Sequence, residues 1–148
     1  MSVFMRAVLT KWDSPPLLEA ARFVAKRGPF RIQSHRDDWS DFEVTDAAGA
    51  AVLAGDLWIG EAAREELAEL EEFLDDLVGS ESARETIRGH LQRATAIVGM
   101  QVLMARYDES VAAANVLIEF LEQRPGTLTQ VDTVGWYDGP DLILTEPE

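Results

Sequence analysis

The sequence has two histidines that could bind a metal ion or act in catalysis, and only one of them has acidic neighbours. His35 is followed at once by Arg36, Asp37 and Asp38, and Asp41 comes shortly after. An imidazole beside carboxylates can ligate a metal ion or act as a general base. We therefore consider a metal or small-molecule site at His35, Asp37, Asp38 and Asp41, with a solvated turn after a strand as the alternative.

The second histidine and the other reactive groups give fewer indications of catalysis. His90 is expected at the surface or at a helix end, and no H-x-x-x-H pair of the kind that binds zinc on a helix is present. The sequence has no cysteine, no Gly-rich phosphate loop and no nucleophile elbow. Asp138-Gly139 predicts a hairpin turn rather than a calcium loop. The prediction therefore leans away from an enzyme, and no cofactor is expected.

Acidic side chains dominate the charge and are unevenly placed along the chain. The 148 residues include 27 acids and 13 bases, which gives a net charge of −14. Residues 1–36 carry seven bases and two acids, whereas residues 61–85 carry ten acids and two bases. This balance argues against nucleic acid and against an anionic membrane surface as partners.

An acidic helix face is the predicted interaction surface. A leucine stripe in residues 61–77 leaves acidic side chains on the other side of the helix. These are Glu65, Glu66, Glu69, Glu72 and Asp76. Such a face steers a basic protein toward it, and the alternative is a solvated face that only keeps the protein in solution.

Trp39 lies in a polar loop among aspartates and is expected to be exposed as a partner anchor. Together with the acidic face, it predicts a protein-binding module with a basic protein partner. An immunity-type inhibitor of a basic toxin is one concrete form of this prediction, and a homodimer is a further alternative.

The elements that must position these residues alternate between strands and helices. Two-residue alternation predicts strands, and three- and four-residue spacing of apolar residues predicts helices. The predicted strands are 3–10, 30–35, 42–45, 51–59, 94–104, 127–134 and 142–145, and the predicted helices follow Ser14, Gly60, Ser82 and Asp108. Residues 135–141 are expected to form a turn, and the apolar strand 94–104 is expected to be central and covered on both sides.

Two strand–helix–strand units give the expected architecture. Residues 3–35 and 94–134 each contain a helix that ends at an arginine close to a Gly-Pro or Pro-Gly pair, so they resemble two copies of one unit, and residues 61–93 form an acidic helical insert between them. Each crossover is expected to be right-handed with parallel flanking strands. The predicted fold is a single α+β domain over residues 1–148, with helices packed on a mixed β-sheet.

The C-terminal third resembles a group of small, uncharacterised bacterial proteins. The resemblance is carried by Gln130-x-Asp132-x-x-Gly135-Trp136-Tyr137-Asp138, after a Pro125-Gly126 turn. It implies a bacterial α+β domain and assigns no catalytic residue. No secretory signal and no stretch of about 20 apolar residues is visible in the sequence, so a cytoplasmic location is expected.

Overall fold

The computed structural model describes residues 3–148, which form eight strands and four α-helices. The strands are β1 Val3–Leu9, β2 Arg31–Ser34, β3 Phe42–Thr45, β4 Ala51–Ile59, β5 Ala96–Val102, β6 Thr127–Val131, β7 Gly135–Asp138 and β8 Asp141–Thr145. The helices are α1 Leu17–Arg27, α2 Gly60–Glu72, α3 Glu81–Arg93 and α4 Tyr107–Glu122, and single 3₁₀ turns occupy Leu74–Asp76 and Met104–Arg106.

Several predicted element ends are wrong for local reasons. Ser14 does not cap α1, because its φ of 48° is left-handed and the helix begins only after Pro16. The cap of α3 is Ser80, which accepts a hydrogen bond from the Ala83 N–H at 3.0 Å, rather than Ser82. Asp108 lies inside the first turn of α4 and is not its cap.

The predicted turn at residues 135–141 is instead a strand and its hairpin. Residues 135–138 form β7, which pairs with both β6 and β8. The hairpin turn predicted at Asp138-Gly139 is confirmed, since Asp138 pairs with Asp141 and Gly139 takes a φ of 58°. The sequence pattern does not reveal this strand because it is short and begins with a glycine, both of which are typical of loops.

The α+β class and the single domain are confirmed, but the mixed sheet is wrong. All seven strand pairings within residues 3–148 are antiparallel, in the order β2-β3-β4-β5-β1-β6-β7-β8. The crossover strands β1 and β2 run in the same direction with three strands between them, and β5 and β6 do so with β1 between them. The crossover rule concerns the handedness of the connection, and it does not require the two strands to be neighbours.

Helices cover both faces of this sheet. Alternate residues of a strand point to opposite faces, and in β5 Val98 packs with α1 and α4 whereas Ile97 packs with α2 and α3. The strand β5 is buried at every position except Gln101, so the predicted two-sided cover of this strand is confirmed. No helix within residues 3–148 is long and apolar enough to cross a membrane.

The helix layer formed by α1 and α4 leaves room beside α4. Helix α1 packs on α4 and β2, and α4 packs on β1, β4, β5 and β6. Beyond α4, the sheet continues into β7 and β8. A groove therefore opens between the outer side of α4 and this end of the sheet.

Candidate functional site

The structure does not gather the residues around His35 into a metal centre. His35, Asp37, Asp38 and Asp41 are all exposed, and no group of three or more His, Asp or Glu side chains within residues 3–148 is arranged to hold a metal ion. Asp38 closes its own turn, because its carboxylate accepts hydrogen bonds from the N–H and the hydroxyl of Ser40 at 3.0 and 2.5 Å. These two hydrogen bonds hold the pKa of Asp38 below its usual value, and the bond from the Ser40 hydroxyl has the larger effect.

Trp39 is not an exposed anchor, and the prediction for this residue is wrong. Its side chain is 3% exposed, and its Nε1 donates a hydrogen bond to the Pro15 carbonyl at 2.7 Å. The ring packs edge-on against Trp12 and Phe42, with centroids 5.4 and 5.6 Å away. The polar neighbours of Trp39 in sequence give no sign of these contacts, because they are made with residues of other segments.

The acidic face of α2 is present, with one member turned away from it. Glu65, Glu69 and Glu72 are exposed on α2, and Asp76 is exposed in the turn that follows it. Glu66 is half-buried instead, and its carboxylate accepts a hydrogen bond from Arg6 Nε at 3.0 Å. We call the four exposed residues the acidic face.

Arg6 is the centre of a partly buried charged network beneath α2. Its side chain is 11% exposed and donates to Asp132 at 2.7 Å and to Gln130 at 2.6 Å, in addition to Glu66. Asp132 also accepts a hydrogen bond from the Phe4 N–H at 3.0 Å. One guanidinium is thus shared by two carboxylates, so the network has a net negative charge.

A cleft of about 400 Å³ opens beside this network. Leu70, Trp136 and the exposed Phe73 contribute its apolar surface, and Glu69 and Glu146 add negative charge. The sequence pattern predicts neither the cleft nor the network, because Arg6, Glu66 and Asp132 are brought together only by the order of the strands.

The larger cavity is the groove beside α4, with a volume of about 640 Å³. One wall is a single side of α4, where residues recur at helical spacing: Tyr107, Val111, Asn115, Ile118 and Glu122. The floor consists of sheet residues from β1, β5 and β6, namely Val3, Met5, Val102, Thr129 and Val131. Tyr137 of β7 and the hairpin residues Gly139 and Pro140 form the far side.

The apolar surface of α4 extends beyond the residues packed in the core and into the groove wall. Ala114, Leu117 and Leu121 are buried in the core, whereas Val111 lies half-buried in the groove wall. Met104 and Tyr107, about half exposed, lie at the end of the groove where α4 begins. The apolar stripe that predicts this helix includes Val111 and Ile118, so a signal is present, but the spacing alone does not distinguish a groove wall from core.

The charged groups that line the groove are all carboxylates in the described part of the chain. They are Glu122 and Asp132, and Asp132 is already bound to Arg6. The Glu122 side chain is exposed, but partial desolvation of its carboxyl raises its pKa, and the nearby negative charges of Glu119 and Asp138 raise it further. The groove therefore combines an apolar floor with the carboxylate of Glu122, which forms no ion pair with the described residues.

Comparison with known proteins adds no further assignment. No family model matches the chain, and neither a curated protein nor a solved structure is significantly similar to it. The resemblance of the C-terminal stretch to small bacterial proteins stays a prediction.

Proposed function

We propose that the protein is a binding protein and that the groove beside α4 takes a small molecule with a largely apolar body. The observation that carries the proposal is the groove itself, because sites for small molecules are concave, mostly apolar and about 300–1,000 Å³ in volume. Its volume of about 640 Å³ lies within that range, and most of its lining residues are apolar or aromatic. We also propose a bacterial source and a cytoplasmic location, as the sequence predicts.

The lining supports binding through burial of apolar surface. Val3, Met5, Val102 and Val131 form a continuous aliphatic floor over three neighbouring strands. A ligand that buries about 200 Å² of apolar surface there gains about 5 kcal/mol before the cost of association is subtracted. This gain is enough for weak to moderate affinity, and the polar groups of the lining then select among apolar ligands.

A neutral fluorescent probe tests this proposal. We expect Nile red to bind the wild-type protein with increased emission, and Val111→Trp to weaken binding at least about tenfold, because the larger side chain fills the groove. Leu18→Trp is the matched control, since Leu18 is exposed on α1 and does not line the groove. Absence of binding to the wild type, or equal binding to both variants, would contradict the proposal.

The acidic face is a second candidate site, for a basic protein partner. The observation that favours it is its position beside the cleft of Arg6, where the guanidinium is already neutralised and Phe73 is 57% exposed. A lysine or arginine of a partner finds only negative charge there, and an exposed aromatic side chain is a frequent contact in protein interfaces. An immunity-type inhibitor of a basic toxin is one form of this candidate function.

A further inference from the structure

We propose that the molecule bound in the groove beside α4 is a cation, namely an ammonium group on an apolar body. This inference rests on the proposed function and names the class of ligand for the same site. It follows from three features of the groove: its charge, its aromatic residues and the pairing of the arginines near it.

The charge of the groove is the first of these features. Among the described residues that line it, none is Lys, Arg or His, and two are acidic. Asp132 accepts from Arg6, Gln130 and the Phe4 N–H, so its oxygens are already occupied from the other side of the sheet. Glu122 therefore provides the carboxylate that a ligand can reach.

The arginines nearest to the two ends of α4 are bound to other acids. Arg106, just before α4, binds Asp46 at 2.8 Å and also Glu109. Arg124, just after it, binds Asp13 at 2.9 Å and stacks on Phe120. Because these cations are held elsewhere, an ammonium group from outside is the natural counter-charge for Glu122.

The aromatic residues of the groove also favour a cation. The chain has two tyrosines, and both Tyr107 and Tyr137 line the groove. The face of a tyrosine ring attracts an ammonium group within about 6 Å, and sites for quaternary ammonium ligands use such rings. Tyr107 begins α4 and Glu122 ends it, about 22 Å apart along the helix, so Tyr137 is the ring that an ammonium group paired with Glu122 can contact. An anionic ligand is disfavoured by the same rings and by Glu122, whose neighbour Asp138 is also acidic, whereas its other acidic neighbour, Glu119, is paired with Arg27 at 3.4 Å.

Three ligands of equal chain length test this inference at pH 7. Octyltrimethylammonium, 1-octanol and octanoate differ only at the head group, and calorimetric titrations compare them below the concentrations at which they aggregate. We expect the cation to bind about tenfold more tightly than octanoate, with the alcohol between them. Glu122→Gln is expected to weaken cation binding roughly threefold and to leave binding of the alcohol unchanged.

Two further variants separate the charge from the aromatic contact. Tyr137→Leu is expected to weaken cation binding roughly threefold with a smaller effect on the alcohol. Glu19→Gln is the control, because Glu19 is an exposed acid of α1 outside the groove, and it is expected to change neither ligand.

The outcomes distinguish this inference from the proposal on which it rests. Equal or tighter binding of octanoate, or cation binding that Glu122→Gln leaves intact, would overturn the inference while binding of the alcohol preserved the proposed function. Failure of all three ligands to bind the folded wild-type protein would overturn both.

Discussion

His90 is a buried titratable side chain in the core beneath α3. The sequence predicts it at the surface or at a helix end, and it does lie in the last turn of α3, but it is buried there with 5% of its surface exposed. Its Nε2 donates a hydrogen bond to the Val8 carbonyl of β1 at 2.7 Å, so this nitrogen carries a proton in the neutral ring. Burial lowers the pKa of His90, because the charged imidazolium is poorly solvated beneath the helix.

This lowered pKa makes stability depend on pH in a definite direction. The unfolded chain binds a proton at the ordinary histidine pKa of 6.5, whereas the folded protein binds it only at lower pH. The contribution of neutral His90 is therefore fully present above pH 6.5 and is lost as the pH falls toward the lowered pKa. We expect the free energy of unfolding to decrease between about pH 7.5 and pH 5, measured by urea denaturation.

Variants at the two histidines identify the source of this dependence. His90→Gln is expected to flatten the pH profile and to cost about 1 kcal/mol at about pH 7.5 through a weakened hydrogen bond. His35→Gln, at an exposed turn, is expected to keep the wild-type slope. If His90→Gln retained that slope, the dependence would originate in other groups.

The hairpin of β7 and β8 depends on a glycine that no other residue can replace without strain. Gly135 has a φ of 140°, and a Cβ added to it would lie 2.0 Å from the Leu144 carbonyl oxygen. This contact is with the backbone of the paired strand, so no side-chain rotation relieves it. Tyr137 of this hairpin lines the groove on the side opposite α4. Gly135 therefore supports one side of the candidate site.

A pair of glycine variants measures this constraint. Gly135→Ala is expected to lower the free energy of unfolding by about 3 kcal/mol, since it adds a backbone clash to an unfavourable φ. Gly139→Ala is the control, because Gly139 also has a positive φ but a Cβ added there would meet no atom within 4 Å. Its expected cost is about 1 kcal/mol, and equal costs in chemical denaturation would contradict the role of the clash.

Elements are predictable from the sequence where the signal is local, whereas their arrangement is not. Helix α4 and strand β5 have strong apolar patterns, and their predicted positions lie close to the observed bounds. The order of the strands depends on contacts such as that of Arg6 with Asp132, which are 126 residues apart. The groove escapes prediction for the same reason, since the strand order decides which part of α4 is left uncovered.

The basic helix α1 and the acidic helix α2 lie on opposite faces of the sheet, and α4 adds Asp108, Glu109, Glu119 and Glu122 to the face of α1. Helix α1, with exposed Arg22 and Lys26, lies on the face opposite to α2, which carries most of the acidic face. The charge asymmetry predicted from residues 1–36 and 61–85 is thus placed mainly on two separate surfaces. Arg6 is the member of the basic segment that reaches across to the acidic helix.

This separation predicts where a basic partner binds. A short peptide of lysine and leucine, titrated in about 0.1 M salt, is expected to shift the NMR signals of α2 and of the cleft beside Phe73 more than those of other acidic segments. Glu65→Gln/Glu69→Gln and Asp37→Asn/Asp41→Asn remove the same charge from exposed positions in different places. The first pair is expected to weaken binding roughly threefold to tenfold, and the second to have little effect, because the Debye length of about 10 Å at 0.1 M salt makes attraction local.

Equal weakening by both pairs would show that the peptide responds only to the net charge of −14, and the acidic face would then serve to keep the protein in solution.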